Sequence, residues 1–124
     1  MQKSIRALKY AVNGLRYAVV NERNFWIEIL CAIFIIALAF IFKITMFAWL
    51  ILVLNICFVL TAELFNTAIE KLAYEVCKVI NPLIKIIKDV AAAAVVMAVL
   101  SAFICGLFIF GPLILKLFSA WYYF

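Results

Sequence analysis

From Lys3 to Val20 the apolar positions return at the spacing of a helix. Leu8, Val12, Leu15 and Val19 are four, three and four residues apart and form one stripe. Arg6, Lys9, Asn13 and Arg16 form a second. A helix with these two faces is expected to lie in the headgroup plane, its cations toward phosphates. Beyond Asn24 the periodicity gives way to continuous apolar runs. Residues 25–42 are interrupted only by Glu28, and about 18 residues is near the lower limit for crossing the hydrocarbon core. Trp26 suits an interfacial position, and Lys43 ends the run. A second run starts near Ile44, contains Trp49, and reaches Ala62 with Asn55 and Thr61 as polar positions in its interior. No Pro or Gly occurs from Ile44 to Ile80, which predicts one long helix over 44–80 that passes the membrane surface. Asn81-Pro82 is the first break. The third span is predicted over 88–116. Ala91 to Ala94 permit close helix contacts there, Gly111-Pro112 ends or kinks the helix, and Trp121, Tyr122 and Tyr123 form an interfacial anchor.

Composition supports this pattern. The 124 residues are 72% hydrophobic, where a soluble domain is closer to about half. So much apolar surface cannot be hidden in a water-facing fold of this size. The fold class expected is an all-α membrane protein, a single membrane domain spanning 1–124, with a surface helix over 2–20 followed by three transmembrane helices. Any catalysis within these residues falls to the membrane helices and their short connections. The N-terminal segment is mixed and charged throughout, unlike a secretory signal. Cys31, Cys57, Cys77 and Cys105 show no CxxC spacing and read as small apolar residues.

Charge sets the orientation. Lys3, Arg6, Lys9, Arg16 and Arg23 precede the first span, and Lys71, Lys78, Lys85 and Lys88 lie between the second and third. Only Lys43 and Lys116 fall on the opposite side, so the N-terminus is expected in the cytoplasm and the C-terminus outside. The same distribution explains the net charge of +5 without a nucleic-acid partner. There is no His, which leaves acid–base chemistry to Glu, Asp or Lys and metal chemistry to oxygen ligands, as for Mg²⁺.

All six acids, Glu22, Glu28, Glu63, Glu70, Glu75 and Asp89, fall near one membrane face in this topology. Glu63 directly follows the second apolar run. A carboxylate at that depth costs on the order of 2–3 kcal/mol or more and is a functional candidate. Asn66 and Glu70 lie three and seven residues further on. On a helix, Glu70 returns to within about 20° of Glu63 and the three form a polar ridge about 10 Å long. Such a ridge can glue helices together. It also divides labour: a partly desolvated Glu63 can accept a proton from a lipid hydroxyl, while Glu70, nearer water, can hold a divalent cation with Glu22 as the second carboxylate. The cationic stripe and Lys88 would neutralise phosphate charge. No P-loop and no protein-kinase glycine loop is present.

The stretch Glu63-Leu-Phe-Asn66-Thr-Ala-Ile-Glu70-Lys, then Asn81-Pro82-Leu-Ile-Lys85-Ile-Ile-Lys88-Asp89-Val-Ala-Ala-Ala, resembles the small bacterial membrane diacylglycerol kinase and undecaprenol kinase family. Asn13-Gly14-Leu15-Arg16 and Asn21-Glu22-Arg-Asn-Phe25 are similar to it too, so the resemblance runs from Lys3 to about Phe108. It implies a homotrimer in the bacterial inner membrane that phosphorylates a lipid alcohol with MgATP. It implies Glu63 as the proton acceptor with Asn66 beside it, and Glu22 and Glu70 as the carboxylates for the metal. It implies nucleotide contacts from Lys3, Tyr10, Lys88, Asp89 and the turn Val79-Ile80-Asn81, together with Glu22 and Glu70. It implies lipid contacts from Lys3, Gly14, Arg16, Glu63 and Ala92. The chain departs where the family often has Glu-Tyr-His, here Val79-Ile80-Asn81. It departs again at Tyr74, where an aspartate is frequent, and at Ile27, where a polar residue is often seen. The first departure puts side-chain contacts to the nucleotide at the turn in doubt; the changes lie outside the catalytic set and are expected to tune lipid choice.

Diacylglycerol is the expected acceptor and undecaprenol the alternative. A different class of reading is a non-catalytic membrane assembly or transporter subunit. That reading calls for acids near mid-bilayer or on both sides of it.

Overall fold

A computed structural model describes residues 1–123, and among them the chain forms four helices. They are α1 (Gln2–Asn21), α2 (Arg23–Ile41), α3 (Met46–Val76) and α4 (Pro82–Tyr122). The last three are each long and apolar enough to cross a membrane. Helices satisfy their own backbone groups, which is why an apolar chain of this kind enters hydrocarbon in this form.

Short breaks join the helices. Glu22 alone separates α1 from α2, with extended backbone at φ −108° and ψ 108°. Ala18 and Phe25 are buried on either side of this hinge. At the end of α2, the Lys43 N–H donates to Phe40 and the Ile44 N–H donates to Ala39, which is the Schellman pattern. Lys43 takes the left-handed conformation there, at φ 49°, a position usually given to glycine. Thr45 then caps α3 by accepting the Ala48 N–H at 3.2 Å.

α3 is the spine of the bundle, packing against α4 along much of its length and against α2, while α1 rests on α2. The bundle therefore has a hairpin end, at Lys43, and a polar end, where α2 starts, α3 finishes and α4 starts. Ala39, Leu52 and Phe110 form the buried core at the hairpin end, joined by Phe42, Ile44 and Trp49. Toward the middle, Ser101 of α4 donates to Asn55 Oδ1 at 3.2 Å, and Asn55 Nδ2 donates to the Ile51 carbonyl at 2.9 Å. Buried Ala91 and Ala98 let the α4 backbone lie close to α3.

Three boundaries depart from the sequence expectation. α3 stops at Val76 instead of reaching Ile80: Cys77 is extended at φ −137° and ψ 105°, and its thiol donates to the Val79 carbonyl at 3.1 Å. α4 starts at Pro82, well before 88. Asn81 precedes proline and is pushed to extended backbone, from which its Oδ1 accepts the Leu83 N–H at 2.9 Å, and Pro82 fills the first helical position where no N–H is needed. α4 also runs through Pro112 to Tyr122, past the expected end at 116. In a membrane helix the cost of proline is reduced because surrounding structure can re-satisfy the freed carbonyl.

Ser101→Ala is expected to lower bundle stability by about 0.6 kcal/mol, the usual size of one interhelical hydrogen bond in a membrane. Reversible unfolding in mixed micelles measures it. A change indistinguishable from zero would mean that Ser101 and Asn55 do not pair.

A carboxylate cluster beside two grooves

The register of α3 decides the depth of its acids. Glu63 lies roughly 26 Å along the axis from Met46, near the far edge of a hydrocarbon core about 30 Å thick. There it is only 4% exposed, and Asn66 and Thr67 one turn on are also buried. Glu70, nearer the end of the helix, is half-buried. Glu22 comes from the α1–α2 hinge and is close enough, with Glu70, for both charges to act on Glu63. Glu63 acts in turn on Glu28 of α2. Four carboxylates thus share one end of the bundle.

Their counter-charge is small. Lys71 Nζ stands 3.0 Å from Glu22 Oε1, and 5.9 Å from the centroid of the Tyr17 ring. Glu70 precedes Lys71 in the chain. Adjacent helical residues do not face each other, and the ammonium reaches across to α2 instead. The other ion pair among the described residues, Lys85 with Asp89 at 2.6 Å, is an exposed contact along α4. Glu28 Oε2 and Asn66 Oδ1 are buried with no hydrogen-bond partner. Among these four carboxylates only Glu22 has a close ammonium, and two oxygens of the cluster are unpaired.

Two cavities open beside it. One, of about 490 Å³, lies between α3 and α4 and is lined by Glu63, Asn66, Asn24, Ala92, Val96 and Phe103. The other, of about 580 Å³, lies among α2, α3 and α4, with Glu28 and Asn55 as polar groups on an apolar wall that includes Cys31 and Leu60. Val99 and Phe103 border both.

The expected site residues divide into two sets. Glu22, Glu63, Asn66, Glu70 and Ala92 come together at the polar end. Lys88 lies one turn before Ala92 on the same face of α4 and Asp89 follows it; neither lines a cavity. Val79, Ile80 and Asn81 form the exposed connection between α3 and α4. Lys3, Tyr10, Gly14 and Arg16 stand exposed along α1 and line neither cavity. Lys3 is up to about 28 Å from Glu22 along a straight helix. Around Gly14 a side chain would meet nothing within 4 Å. One chain thus supplies the acidic half of the expected site and leaves the α1 residues outside it. Glu28 is the residue that sequence reasoning missed: counted among the acids of one membrane face, it was given no place in the site. Its spacing of six residues from Glu22 on the same side of the membrane was the available signal.

The donor set suits a hard divalent cation. Glu22 and Glu70 offer carboxylate oxygens, and Glu22 Oε1 is buried. No three His, Cys, Asp or Glu side chains converge on one point among the described residues, so a cation held here takes its remaining ligands from outside the chain.

Helices that span a membrane and gather acids beside a groove at one interface define a membrane protein with a site open to both water and lipid. The chain matches the prokaryotic diacylglycerol kinase family over residues 9–110, and it belongs to that family. It is 35% identical over 112 residues to a diacylglycerol kinase of Synechocystis sp., covering 90% of this chain and 64% of that protein. It is 30% identical over 112 residues to the undecaprenol kinase of Bacillus subtilis, covering 90% and 91%. A diacylglycerol kinase of Helicobacter pylori is 32% identical over 93 residues, covering 75% and 73%.

Glu28→Leu is expected to stabilise the fold by about 1–3 kcal/mol, because it removes a buried carboxylate oxygen with no partner. Thermal and detergent unfolding measure this. A loss of stability would mean that Glu28 holds the helices together.

Proposed function

We propose that the chain is a lipid kinase, which transfers the γ-phosphoryl group of ATP to the hydroxyl of a membrane lipid. The observation that carries this reading is the buried Glu63 on the wall of a groove at the membrane edge, with Glu70 and Glu22 beside it. Family membership supports it, and relatives named for kinase activity on two lipids support it further.

In this reading the lipid lies in the groove with its hydroxyl at Glu63. The alcohol oxygen bonds to the γ-phosphorus as the bond to the β–γ bridging oxygen breaks, ADP leaves, and the alcohol proton passes to the Glu63 carboxylate. Asn66, buried with a free oxygen, orients the hydroxyl. Glu22 and Glu70 hold a magnesium ion, which when bound offsets the negative charge of the phosphates. Lys88 and Asp89 meet the nucleotide at the groove mouth, with Val79, Ile80 and Asn81 along its border. The second cavity continues the first and takes the apolar chain, and Glu28 and Asn55 give that wall its polar contacts.

Diacylglycerol is the proposed acceptor, with phosphatidic acid as product; undecaprenol is the alternative. The N-terminus is placed in the cytoplasm of a bacterium and α1 at the membrane surface, where its cations meet phosphates. The working unit is a homotrimer, in which Lys3, Tyr10, Gly14 and Arg16 of one protomer reach a neighbour's groove. The transporter reading is less well supported, because the acids crowd one end of the bundle.

Purified protein in mixed micelles with MgATP is expected to phosphorylate one member of a panel of lipid alcohols. Glu63→Gln is expected to lower kcat by about 10²–10⁴-fold with helix content unchanged. Near-normal turnover of Glu63→Gln would remove Glu63 as proton acceptor, and no phosphorylation of any lipid alcohol would remove the kinase reading.

A further inference from the structure

Glu22 is the one carboxylate of the four that does not stand within a helix. It sits at a single extended residue between two helices, and its side chain makes no capping bond to α2. The buried Glu63 of α3 repels it. What draws it toward α3 is Lys71, whose ammonium lies 3.0 Å from Glu22 Oε1 and also reaches the Tyr17 ring of α1. One side chain therefore ties three parts of the chain together: α1, the hinge and α3.

We propose that Lys71 is a positioning residue that holds Glu22 and the α1–α2 hinge against α3 until a divalent cation replaces its ammonium. The inference rests on the kinase reading, which assigns Glu22 to the cation. Lys71 is suited to leaving. Its side chain is 57% exposed and that of Glu22 19%, so the ammonium enters from water and withdraws to water without crossing an apolar barrier. A pair with one such exposed partner is weak, enough to bias a hinge and too little to exclude a doubly charged ion. Both ions satisfy the same need, which is positive charge beside Glu22 with Glu63 and Glu70 near it.

The test uses Mn²⁺ alone, without nucleotide, on the full chain in micelles, with free Mn²⁺ followed by electron paramagnetic resonance. Lys71→Met is expected to bind Mn²⁺ about two- to fivefold more tightly than wild type at low salt, the equivalent of losing one exposed competing ion pair. Lys71→Arg, which keeps the charge, is expected to bind like wild type. A second readout is trypsin cleavage after the exposed Arg23, next to the hinge. Without metal it is expected to be faster in Lys71→Met than in wild type, and Mn²⁺ is expected to slow it again. The substitution changes an exposed side chain, and Lys71→Gln with an unchanged circular dichroism spectrum guards against misfolding. Equal or weaker Mn²⁺ binding by both neutral variants, or unchanged cleavage at Arg23, overturns the role of Lys71 alone. Wild-type binding that is absent, or indifferent to Glu22→Gln, overturns the assignment of Glu22 to a cation and this inference with it.

Discussion

A carboxylate at the edge of hydrocarbon must find compensation outside its own helix, and the polar end of this bundle is arranged around that requirement at Glu63. The α3 backbone bonds to itself and offers the side chain nothing. The groups nearest to Glu63 make matters worse, because Glu22, Glu70 and Glu28 are also acids. Lys71 answers only one of them. A bundle built for stability alone would have placed apolar residues here, since replacing buried charge by well-packed side chains is often neutral or favourable. Under the proposed function the clustered carboxylates would serve a cation, and the unpaired oxygens of Glu28 and Asn66 a hydroxyl.

The rest of the bundle is what allows such an end to exist. At the hairpin end, Ala39, Leu52 and Phe110 pack with Phe42, Ile44 and Trp49, and the tight turn at Lys43 fixes α2 against α3. Halfway along, the Ser101–Asn55 bond sets the register of α4 on α3. A one-turn slip of either helix would move Ala92 and Lys88 about 5 Å along the groove relative to Glu63. Apolar packing at one end and one polar contact in the middle thus hold the reacting groups of the proposed function in register, while one cavity opens at the polar end and a second runs from Glu28 to the hairpin-end core.

Much of this was legible in the residues. The helical content and the three spans followed from long apolar runs, because a run with no alternative to hydrocarbon has few ways to fold. The convergence of Glu63, Asn66 and Glu70 followed from spacing on one helix, which needs no knowledge of tertiary structure. Legibility failed where two elements meet or where a local break decides. The end of α3 turned on Cys77 and on the steric demand of Pro82 upon Asn81, not on the apolar pattern of Val79 and Ile80. Pro112 looked like a stop, yet a membrane helix absorbs it. Lys71 could not be assigned to Glu22 from sequence, since the pair is formed by a hinge whose angle no local rule supplies. Glu28 was undervalued because it stands alone in its run; only the packing of α2 on α3 brings it beside Glu63.

The same geometry bears on how many chains the proposed reaction needs. Along α1 the cations are exposed, and its first turns stand tens of ångströms from Glu22 if the helix is followed end to end. Within one chain, then, the acids and the cations that a nucleotide asks for lie apart. α4 buries few residues over its 41-residue length, leaving long apolar faces to be covered by lipid or by other copies. The proposed homotrimer would answer both facts at once: each α1 would cross to a neighbour's groove, and the uncovered faces of the spans would meet one another. The alternative, a lone bundle, would have to neutralise triphosphate charge with Lys88 and the divalent cation, Lys85 being engaged with Asp89. Phosphoryl transfer depends on positioning and charge compensation more than on covalent chemistry, and that dependence is what favours the shared site.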